Sequence, residues 1–268
     1  MKNNFKFIDL FCGLGGFRIA LEKQNCNCVF SSDIDKAVAQ VYENNFGDYP
    51  SGDITKIDSK DIPDFDILCG GFPCQSFSIA GKRLGFEDSR GTMFFEVARI
   101  LKEKKPKAFI LENVKGITNH DGGKTLKTIL DILDDLDYTY VNKVINAKDV
   151  GIPQNRERWY CVGIRKDLNI KLNPDMIFPT EQTNFFSYDD IIDVNNIYKE
   201  YKISDICENN IQKHIDKVKE KKSKYTLAYE IRPSRCQFKT DGISPCLTAK
   251  MGLSLIHISE PTRLRRIS

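Results

Sequence analysis

Three kinds of side chain with complementary chemistry follow short apolar runs of the sequence. Cys74 comes after the run 65–68 on a turn rich in glycine and proline, which presents its thiol to a cleft. Glu112 follows another apolar run, and Arg156 and Arg158 supply two guanidinium groups further along. A thiolate, a carboxylic acid and an arginine together indicate covalent chemistry on an electron-poor ring. Each also has an ordinary alternative: a packed cysteine, a helix-capping acid or a surface ion pair.

Short apolar strands alternate with amphipathic helices through the first two thirds of the chain. This order predicts a doubly wound, Rossmann-like α/β sheet. The predicted strands cover residues 5–10, 29–33, 64–69, 108–111 and 159–164, and the predicted helices cover 34–42, 92–104 and 126–133. Ligands of such a sheet bind at the carboxyl ends of its strands. We therefore expect the reactive side chains to meet at that edge.

Composition excludes several classes of protein. The chain has 268 residues, of which 41% are hydrophobic and 29% charged, as expected for a globular protein with a full core. We find no signal peptide and no apolar run near the roughly 20 residues that a membrane span requires, so we expect a cytoplasmic protein without a membrane partner. Nine scattered cysteines, no Cys-x-x-Cys pair and three histidines argue against a disulfide framework and against a metal site.

The segment DLFCGLGGF at residues 9–17 predicts a strand, a glycine turn and a helix start. Glycines there let the backbone approach a ligand beside the helix N-terminus. Asp33, about 20 residues beyond the turn, is expected on ribose hydroxyls. Asp53 would accept from an adenine amino group, with Ile54 packed on the ring. These features predict an adenosine-containing cofactor, either NAD or S-adenosylmethionine. The predicted cofactor-binding residues are Phe11, Gly13, Leu14, Gly15, Gly16, Asp33, Ile34, Asp53, Ile54 and Pro73.

Six ordered motifs then identify a family. They are DLFCGLGGF, GDIT, GGFPCQSFS, RGTMFFEVARI, ENVKG and QNRERWY, between Phe5 and about Arg165, with a weaker SPCLTA match at residues 244–249. In these motifs the chain resembles the DNA cytosine-5 methyltransferases of bacterial restriction-modification systems. The cysteine motif favours S-adenosylmethionine over NAD.

The chemistry that this resemblance implies needs the same residue types. Carbon 5 of cytosine is too weak a nucleophile to take a methyl group until a thiolate adds at carbon 6. Cys74 would be that thiolate. The resemblance implies that Glu112 contacts ring N3 and the exocyclic amine as an acid. It also implies that Arg158 lies near the cytosine O2, with Arg156 as a phosphate or support partner.

The target base must leave the duplex to reach such a site. We predict that the polar, glycine-bearing segment 76–91 closes over DNA, the alternative being a passive surface loop. The predicted substrate-binding residues are Gln75, Ser76, Ser78, Lys82, Arg83, Arg90, Asn113 and Val114. The expected partner is double-stranded DNA, bound by a monomer, with a cognate restriction endonuclease in the same system.

The domain prediction follows composition and resemblance. Residues 1–166 are predicted to bind S-adenosylmethionine and carry catalysis, 167–240 to form a smaller, irregular target-recognition region, and 241–252 to return to the catalytic domain. The basic run 213–224 is better explained as a solvated helix face than as a DNA contact. Residues 253–268 resemble translated adapter sequence, and we expect the natural sequence to stop near Gly252.

Three other functions compete with this interpretation. A tRNA-methylating branch of the same superfamily would share its motifs, but the long region 167–240 favours DNA. A dinucleotide oxidoreductase would not need Cys74 and Glu112 so placed. The Pro-Arg-Glu helix and Gly-Asn-Ser-Val segment of the family are missing from this sequence. An inactive fragment that only binds DNA or cofactor is therefore the third alternative.

Overall fold

The chain divides into two compact units. The computed structural model describes residues 4–73, 93–180, 186–191, 204–218, 222–224 and 226–246, and the backbone of 256–258. The first, the sheet unit, comprises residues 1–145 and 158–178, and the second unit comprises 146–157 and 179–268. The boundaries that composition suggested, at 166, 240 and 252, remain a prediction.

A six-stranded sheet forms the sheet unit, with the strand order β2-β1-β3-β4-β7-β5. The strands are β1 (Lys6–Leu10), β2 (Asn27–Ser32), β3 (Ile67–Gly71), β4 (Ala108–Val114), β5 (Tyr138–Asn146) and β7 (Glu157–Arg165). β2, β1, β3 and β4 are parallel neighbours, whereas β7 runs antiparallel to β4. The predicted α/β fold class is confirmed, with a mixed central sheet.

Two strand predictions need correction. β4 continues to Val114, so Glu112 lies within the strand and not after its end. The reason is the pairing with β7, which extends as far as Val114 opposite Arg158. Arg158 lies near the amino end of β7, not at a carboxyl end as expected. Because β7 is antiparallel, its amino end reaches the edge where the parallel strands have their carboxyl ends.

Two of the three predicted helices of the sheet unit, those over 92–104 and 126–133, follow the predicted periodicity. The helices of this unit are α1 (Gly16–Glu22), α2 (Lys36–Phe46), α3 (Met93–Lys104), α4 (Lys124–Asp135) and α5 (Pro174–Ile177). The predicted inner face of α3 is buried at all four positions, namely Phe94, Val97, Ala98 and Leu101.

The exception is the face predicted for α2. The Asp35 side chain accepts hydrogen bonds from the backbone N–H groups of Ala37 and Val38, so it caps the helix and Lys36 is its first residue. Ile34 is thereby left outside the helix and is 73% exposed, while Val41 is also exposed. Tyr42, together with Ala39, is buried.

Large side chains fill the core against the sheet. Phe109 and Tyr138 pack with ring centroids 5.2 Å apart, and the Tyr138 hydroxyl donates to the Pro106 carbonyl at 2.7 Å. Trp159 is buried, and its indole N–H donates to the Asn142 side chain at 3.0 Å. The polar ends of both buried aromatic groups therefore keep hydrogen-bond partners, a buried carbonyl for Tyr138 and a surface amide for Trp159.

The second unit contains two small sheets. β6 (Gln154–Asn155) pairs in parallel with β10 (Ser244–Pro245). β8 (Thr226–Arg232) pairs antiparallel with β9 (Arg235–Lys239) and with β11 (Ile256–Ile258). Among its described residues lies the helix α6 (Asp205–Gln212), and a small core centres on Ile211, Ala228 and Cys236. In the part of the chain that the structure describes, no helix has the length and apolarity to cross a membrane.

Candidate active site

A tight turn joins β1 to α1 at the carboxyl edge of the sheet. Phe11, Gly13 and Gly15 all have positive φ, at 56°, 53° and 85°. A Cβ atom at Gly15 would collide with the Phe46 ring, so the turn also requires glycine there for packing. Asp33 fixes the turn from β2, because its Oδ2 accepts from the Gly13 N–H at 2.9 Å.

Asp53 caps a short 3₁₀ turn on the connection between α2 and β3. Its Oδ1 accepts from the Thr55 hydroxyl at 2.8 Å and from the Thr55 N–H at 3.1 Å. The hydrogen bond from the Thr55 hydroxyl, with that from its N–H, lowers the pKa of Asp53 despite some desolvation. Asp53 therefore carries a negative charge near neutral pH.

Both aspartates line a cavity of about 480 Å³ within the sheet unit. A volume of this size is ordinary for a small-molecule site. Its lining consists of Phe11, Ser32, Asp33, Ile34, Gly52, Asp53, Ile54, Thr55, Gly71, Pro73 and Met93. Six predicted cofactor residues are among them: Phe11, Asp33, Ile34, Asp53, Ile54 and Pro73. The predicted Gly13, Leu14, Gly15 and Gly16 form the adjoining turn and are not in the lining.

Five lining residues were missed by sequence reasoning. Ser32 ends β2 beside Asp33, so its strand-end position was a usable signal, and Gly71 similarly ends β3. Gly52 and Thr55 flank the predicted Asp53 and Ile54. No sequence pattern near Met93 predicted a place in the cavity lining. Met93 lies there because the tertiary fold places the start of α3 beside the cavity.

The lining suits an adenosine-bearing cofactor. The Ser32 hydroxyl is buried and, among the described residues, has no hydrogen-bond partner. A buried polar group without a partner is costly, and a bound ligand could satisfy it. Ionised carboxylates can accept from ribose hydroxyls and an amino group, while Phe11, Ile34 and Ile54 offer apolar surface to a ring.

Glu112 and Arg158 form an ion pair close to this cavity. Arg158 Nε lies 2.9 Å from Glu112 Oε1, and the two side chains are 16% and 22% exposed. Glu112 is the register partner of Gly71 across β3 and β4. A Cβ atom at Gly71 would lie 3.3 Å from Glu112 Oε2, so glycine gives this carboxylate room at the edge of the cavity. The structure thus brings the predicted acid, one predicted arginine and this cavity together.

Asn113 supports the strand end that leads to Cys74. Its side chain is buried, and its Nδ2 donates to the Phe72 carbonyl at 2.8 Å. Its Oδ1 accepts from the Val114 N–H at 2.8 Å. Asn113 therefore holds the backbone two residues before the predicted nucleophile. Val114 itself is half-exposed.

Several predicted residues lie outside the residues that the structure describes. They are Cys74, Gln75, Ser76, Ser78, Lys82, Arg83 and Arg90. The roles assigned to them remain predictions.

Arg156 belongs to the second unit and has different partners from Arg158. Its Nη1 donates to the Cys246 sulfur at 3.5 Å, and its backbone N–H donates to the Asn146 side chain at 2.9 Å. The pairing of β6 with β10 accounts for this contact, since Arg156 and Cys246 directly follow the two paired segments. The starts of the two motifs, residues 154–156 and 244–246, therefore meet in this unit.

Cys12 and Cys69 are both buried in the sheet unit. Desolvation by burial, followed by the nearby Asp9, raises the pKa of each thiol. Both therefore stay protonated and unreactive near neutral pH. Among the described residues, no group of three or more His, Cys, Asp or Glu side chains could hold a metal ion.

Comparison with known proteins identifies the family. The family model of the C-5 cytosine-specific DNA methylases matches residues 5–250. The chain belongs to this family. It is 58% identical over 166 residues to the type II methyltransferase M.HhaI of Haemophilus parahaemolyticus, covering 62% of this chain and 51% of that protein. It is 47% identical over 237 residues to M.HpaII of Haemophilus parainfluenzae, covering 87% of this chain and 65% of that protein.

Solved structures agree on the fold of this chain. The S. pombe Dnmt2 methyltransferase has a TM-score of 0.63 at 21% identity, covering 78% of this chain and 67% of that one. Spodoptera frugiperda DNMT2, as a triple mutant, has a TM-score of 0.62 at 23% identity, covering 77% and 65%. The chain spans about half to two thirds of the length of the curated relatives named above.

Proposed function

We propose that this C-5 cytosine-specific DNA methylase transfers a methyl group from S-adenosylmethionine to carbon 5 of cytosine in a specific double-stranded DNA sequence. The observation that carries the proposal is the Glu112–Arg158 ion pair of 2.9 Å, next to Gly71 on the rim of the cavity. A carboxyl group and a guanidinium group held together there can hydrogen-bond to the edge of a pyrimidine while the cavity binds the methyl donor.

The cofactor would be held by residues of the cavity. Asp33 would accept from the ribose hydroxyls and Asp53 from the adenine amino group, with Ile34 and Ile54 against the ring. Bound there, S-adenosylmethionine would supply an electrophilic methyl group. The Ser32 hydroxyl, without a partner among the described residues, is a further group that can bond to it.

The residues of this chain would act on cytosine in a fixed order. The Cys74 thiolate adds to carbon 6 of a flipped-out cytosine, and carbon 5 thereby becomes nucleophilic. Glu112 contacts ring N3 and the exocyclic amine and acts as the acid for the adduct. Arg158 orients Glu112 and faces O2. Carbon 5 would take the methyl group, with S-adenosylhomocysteine as the other product. A base then removes the carbon 5 proton, the thiolate departs from carbon 6, and the ring proton returns to Glu112, which leaves 5-methylcytosine.

Neighbouring residues would prepare the nucleophile and the DNA. Asn113 holds the Phe72 carbonyl and so limits the movement of the backbone before Cys74. We assign Gln75, Ser76 and Ser78 to substrate contacts. Arg156 would support the site or contact a phosphate. We further propose a cytoplasmic monomer that belongs to a restriction-modification system with a cognate endonuclease. The remaining substrate contacts are Lys82, Arg83, Arg90 and Val114.

The test is transfer of a tritiated methyl group from S-adenosylmethionine to duplex DNA. We expect transfer to DNA but not to tRNA, and we expect Cys74→Ser to abolish it. Cys26→Ser is the matched control, because Cys26 is a partly exposed thiol away from the cavity lining. DNA containing 5-fluorocytosine should trap a covalent complex with the unaltered chain and not with Cys74→Ser. Undiminished transfer by Cys74→Ser, or labelling of tRNA in place of DNA, would refute the proposal.

A further inference from the structure

The connection between α2 and β3 forms one wall of the cavity. This connection contains neither an α-helix nor a β-strand in its described residues. Only two 3₁₀ turns occur in its described residues 48–66, at Ile54–Lys56 and Ser59–Asp61. The first of these turns, with its neighbours, contributes Asp53, Ile54 and Thr55 to the lining. We call residues 53–57 the cavity turn. Such a segment has few backbone hydrogen bonds of its own, so other groups must hold its carbonyls.

Side chains of α3 hold this connection at three points. Arg99 Nη2 donates to the Ile54 carbonyl at 3.3 Å and to the Ile57 carbonyl at 3.1 Å. Glu103 accepts from the Ser59 hydroxyl. Lys104 Nζ donates to the Ile62 carbonyl at 2.8 Å and to Asp64 Oδ1 at 2.9 Å.

Arg99 alone among these three reaches the cavity turn. Glu96, one helical turn earlier, accepts from Arg99 Nε at 2.9 Å and from Nη2 at 2.8 Å. This two-point contact fixes the plane of the guanidinium, so the remaining donor capacity of Nη2 is aimed at the two carbonyls. A lysine ammonium is a point charge on a flexible stem and could not keep this geometry.

The same helix also contributes directly to the cavity. Met93, the first residue of α3, is in the lining together with Ile54. Because α3 is rigid between Met93 and Arg99, the Arg99 hydrogen bonds set the spacing between these two walls. Loss of them would leave the Asp53 carboxylate and the Ile54 side chain free to shift relative to Met93.

We propose that Arg99 is a positioning residue for the cofactor: it holds the cavity turn so that Asp53 and Ile54 are arranged to receive the adenine ring. This inference rests on the proposed function, since it assumes that the cavity binds S-adenosylmethionine. Arg99 touches neither cofactor nor substrate in this account and acts through the backbone of the cavity turn.

A purely structural role for Arg99 makes a different prediction, and Lys104 provides the comparison. Lys104 lies on the same helix, holds a carbonyl of the same connection and has an acidic partner, but neither Ile62 nor Asp64 is in the cavity lining. If Arg99 only stabilises the fold, removing either cation should affect cofactor affinity equally. If Arg99 positions the cofactor site, only its removal should weaken binding.

The experiment compares Arg99→Met with Lys104→Met in the full chain by calorimetric titration with S-adenosylmethionine. A hydrogen bond to a charged group contributes about 1.5–3 kcal/mol, and losing that free energy from binding raises Kd roughly tenfold or more. We expect Arg99→Met to raise Kd about tenfold and Lys104→Met to change it less than twofold, although both lower Tm. In methyl transfer, Arg99→Met should raise KM for the cofactor about tenfold and leave kcat within about twofold.

A second variant protects the test against misfolding. Glu96→Gln keeps Arg99 but weakens the contact that orients it, and we expect an increase in Kd of about threefold with Tm little changed. Equal affinity in the unaltered chain, Arg99→Met and Glu96→Gln would overturn the positioning role, as would equal weakening by Arg99→Met and Lys104→Met. No binding of S-adenosylmethionine by the unaltered chain would instead overturn the proposed function.

Discussion

Both edges of the central sheet carry ion pairs between acidic and basic side chains, but the pairs at the two edges differ in their exposure and in their neighbours. At the carboxyl edge, Arg158 pairs with Glu112 at 2.9 Å beside the cavity. At the opposite edge, Lys107 pairs with Asp66 at 2.8 Å and Arg165 with Asp167 at 2.7 Å. One member of each of these latter pairs is more than half exposed, Lys107 at 54% and Asp167 at 62%.

This difference shows what converts an ion pair into a candidate site. Exposed pairs contribute little, about 0–1 kcal/mol, because water screens them. At the carboxyl edge, both Glu112 and Arg158 are mostly shielded from water, and a cavity with further carboxylates adjoins them. The same charges therefore have a stronger and more directional effect there. Each prediction below sets a change at the carboxyl edge against a matched change elsewhere.

The largest effect is expected from Glu112→Gln. The variant keeps the shape of the side chain but removes the acid, and general acid catalysis is worth roughly 10²–10⁴-fold. We expect methyl transfer to DNA to fall about 10³-fold, as measured by tritium incorporation, with the far-ultraviolet circular dichroism unchanged. The control is Asp66→Asn at the opposite edge, for which we expect activity within about twofold. Similar losses in both variants would contradict the comparison of the edges.

Arg158→Met should have the next largest effect. It leaves the carboxylate of Glu112 without its orienting cation, and we expect methyl transfer to fall roughly 10²-fold. Arg165→Met, near the other end of β7, should retain transfer within about twofold because its pair with Asp167 is largely solvated. Arg158→Lys should recover only part of the loss, since a lysine lacks the planar fork. Full activity of Arg158→Met would remove Arg158 from the site.

Asp53→Asn should mainly affect cofactor binding. The amide cannot accept as a charged group, and loss of one charge-assisted hydrogen bond corresponds to roughly tenfold in Kd. Calorimetric titration with S-adenosylmethionine measures this change in Kd. Asp58→Asn is the matched control, because Asp58 caps the neighbouring 3₁₀ turn in the same way but is not in the cavity lining. If both variants bind equally well, Asp53 is only a turn cap.

The smallest effect on activity is expected from Asp9→Asn. This variant tests whether a buried carboxyl group inside the sheet affects stability rather than activity, unlike the carboxyl groups at the edge. Asp9 is fully buried in β1, and neither carboxylate oxygen has a hydrogen-bond partner among the described residues. Burial raises the pKa of Asp9 to about 8, against the lowering effect of Arg18. The unfolded chain, with the ordinary value of 3.8, therefore binds fewer protons than the folded one between about pH 4 and pH 8.

Stability should consequently fall as pH rises through that window, and Asp9→Asn should remove this decline. Thermal unfolding at pH 5 and pH 8 measures it, and we expect the variant to exceed the unaltered chain by about 3 °C at pH 8, or roughly 1 kcal/mol. Asp53 should act in the opposite sense: its lowered pKa gives stability that is lost only as pH falls below about 4. If the melting temperature of the unaltered chain and of Asp9→Asn changes equally with pH, the Asp9 carboxyl group is not protonated in the folded chain.

Predictable parts of the fold are those set by short-range patterns. The buried face of α3 followed from a helical period, because side chains three and four residues apart share a face. Asp33, Asp53 and Ile54 line the cavity, and the sequence could place them at this edge because strand ends and glycine turns mark the carboxyl edge of an α/β sheet. The start of α2 was predicted two residues too early, because the apolar pattern took no account of the Asp35 side chain that caps the helix.

By itself, the sequence determined the family, the α/β class and the residue types of the site, because motifs and periodicity are local properties of the chain. Only the tertiary structure decided that β7 runs antiparallel to β4, which carries Arg158 to Glu112. It likewise decided that Arg99 reaches the carbonyls of Ile54 and Ile57. Strand direction and contacts between residues more than 40 positions apart depend on how whole elements pack, and no local pattern encodes that packing.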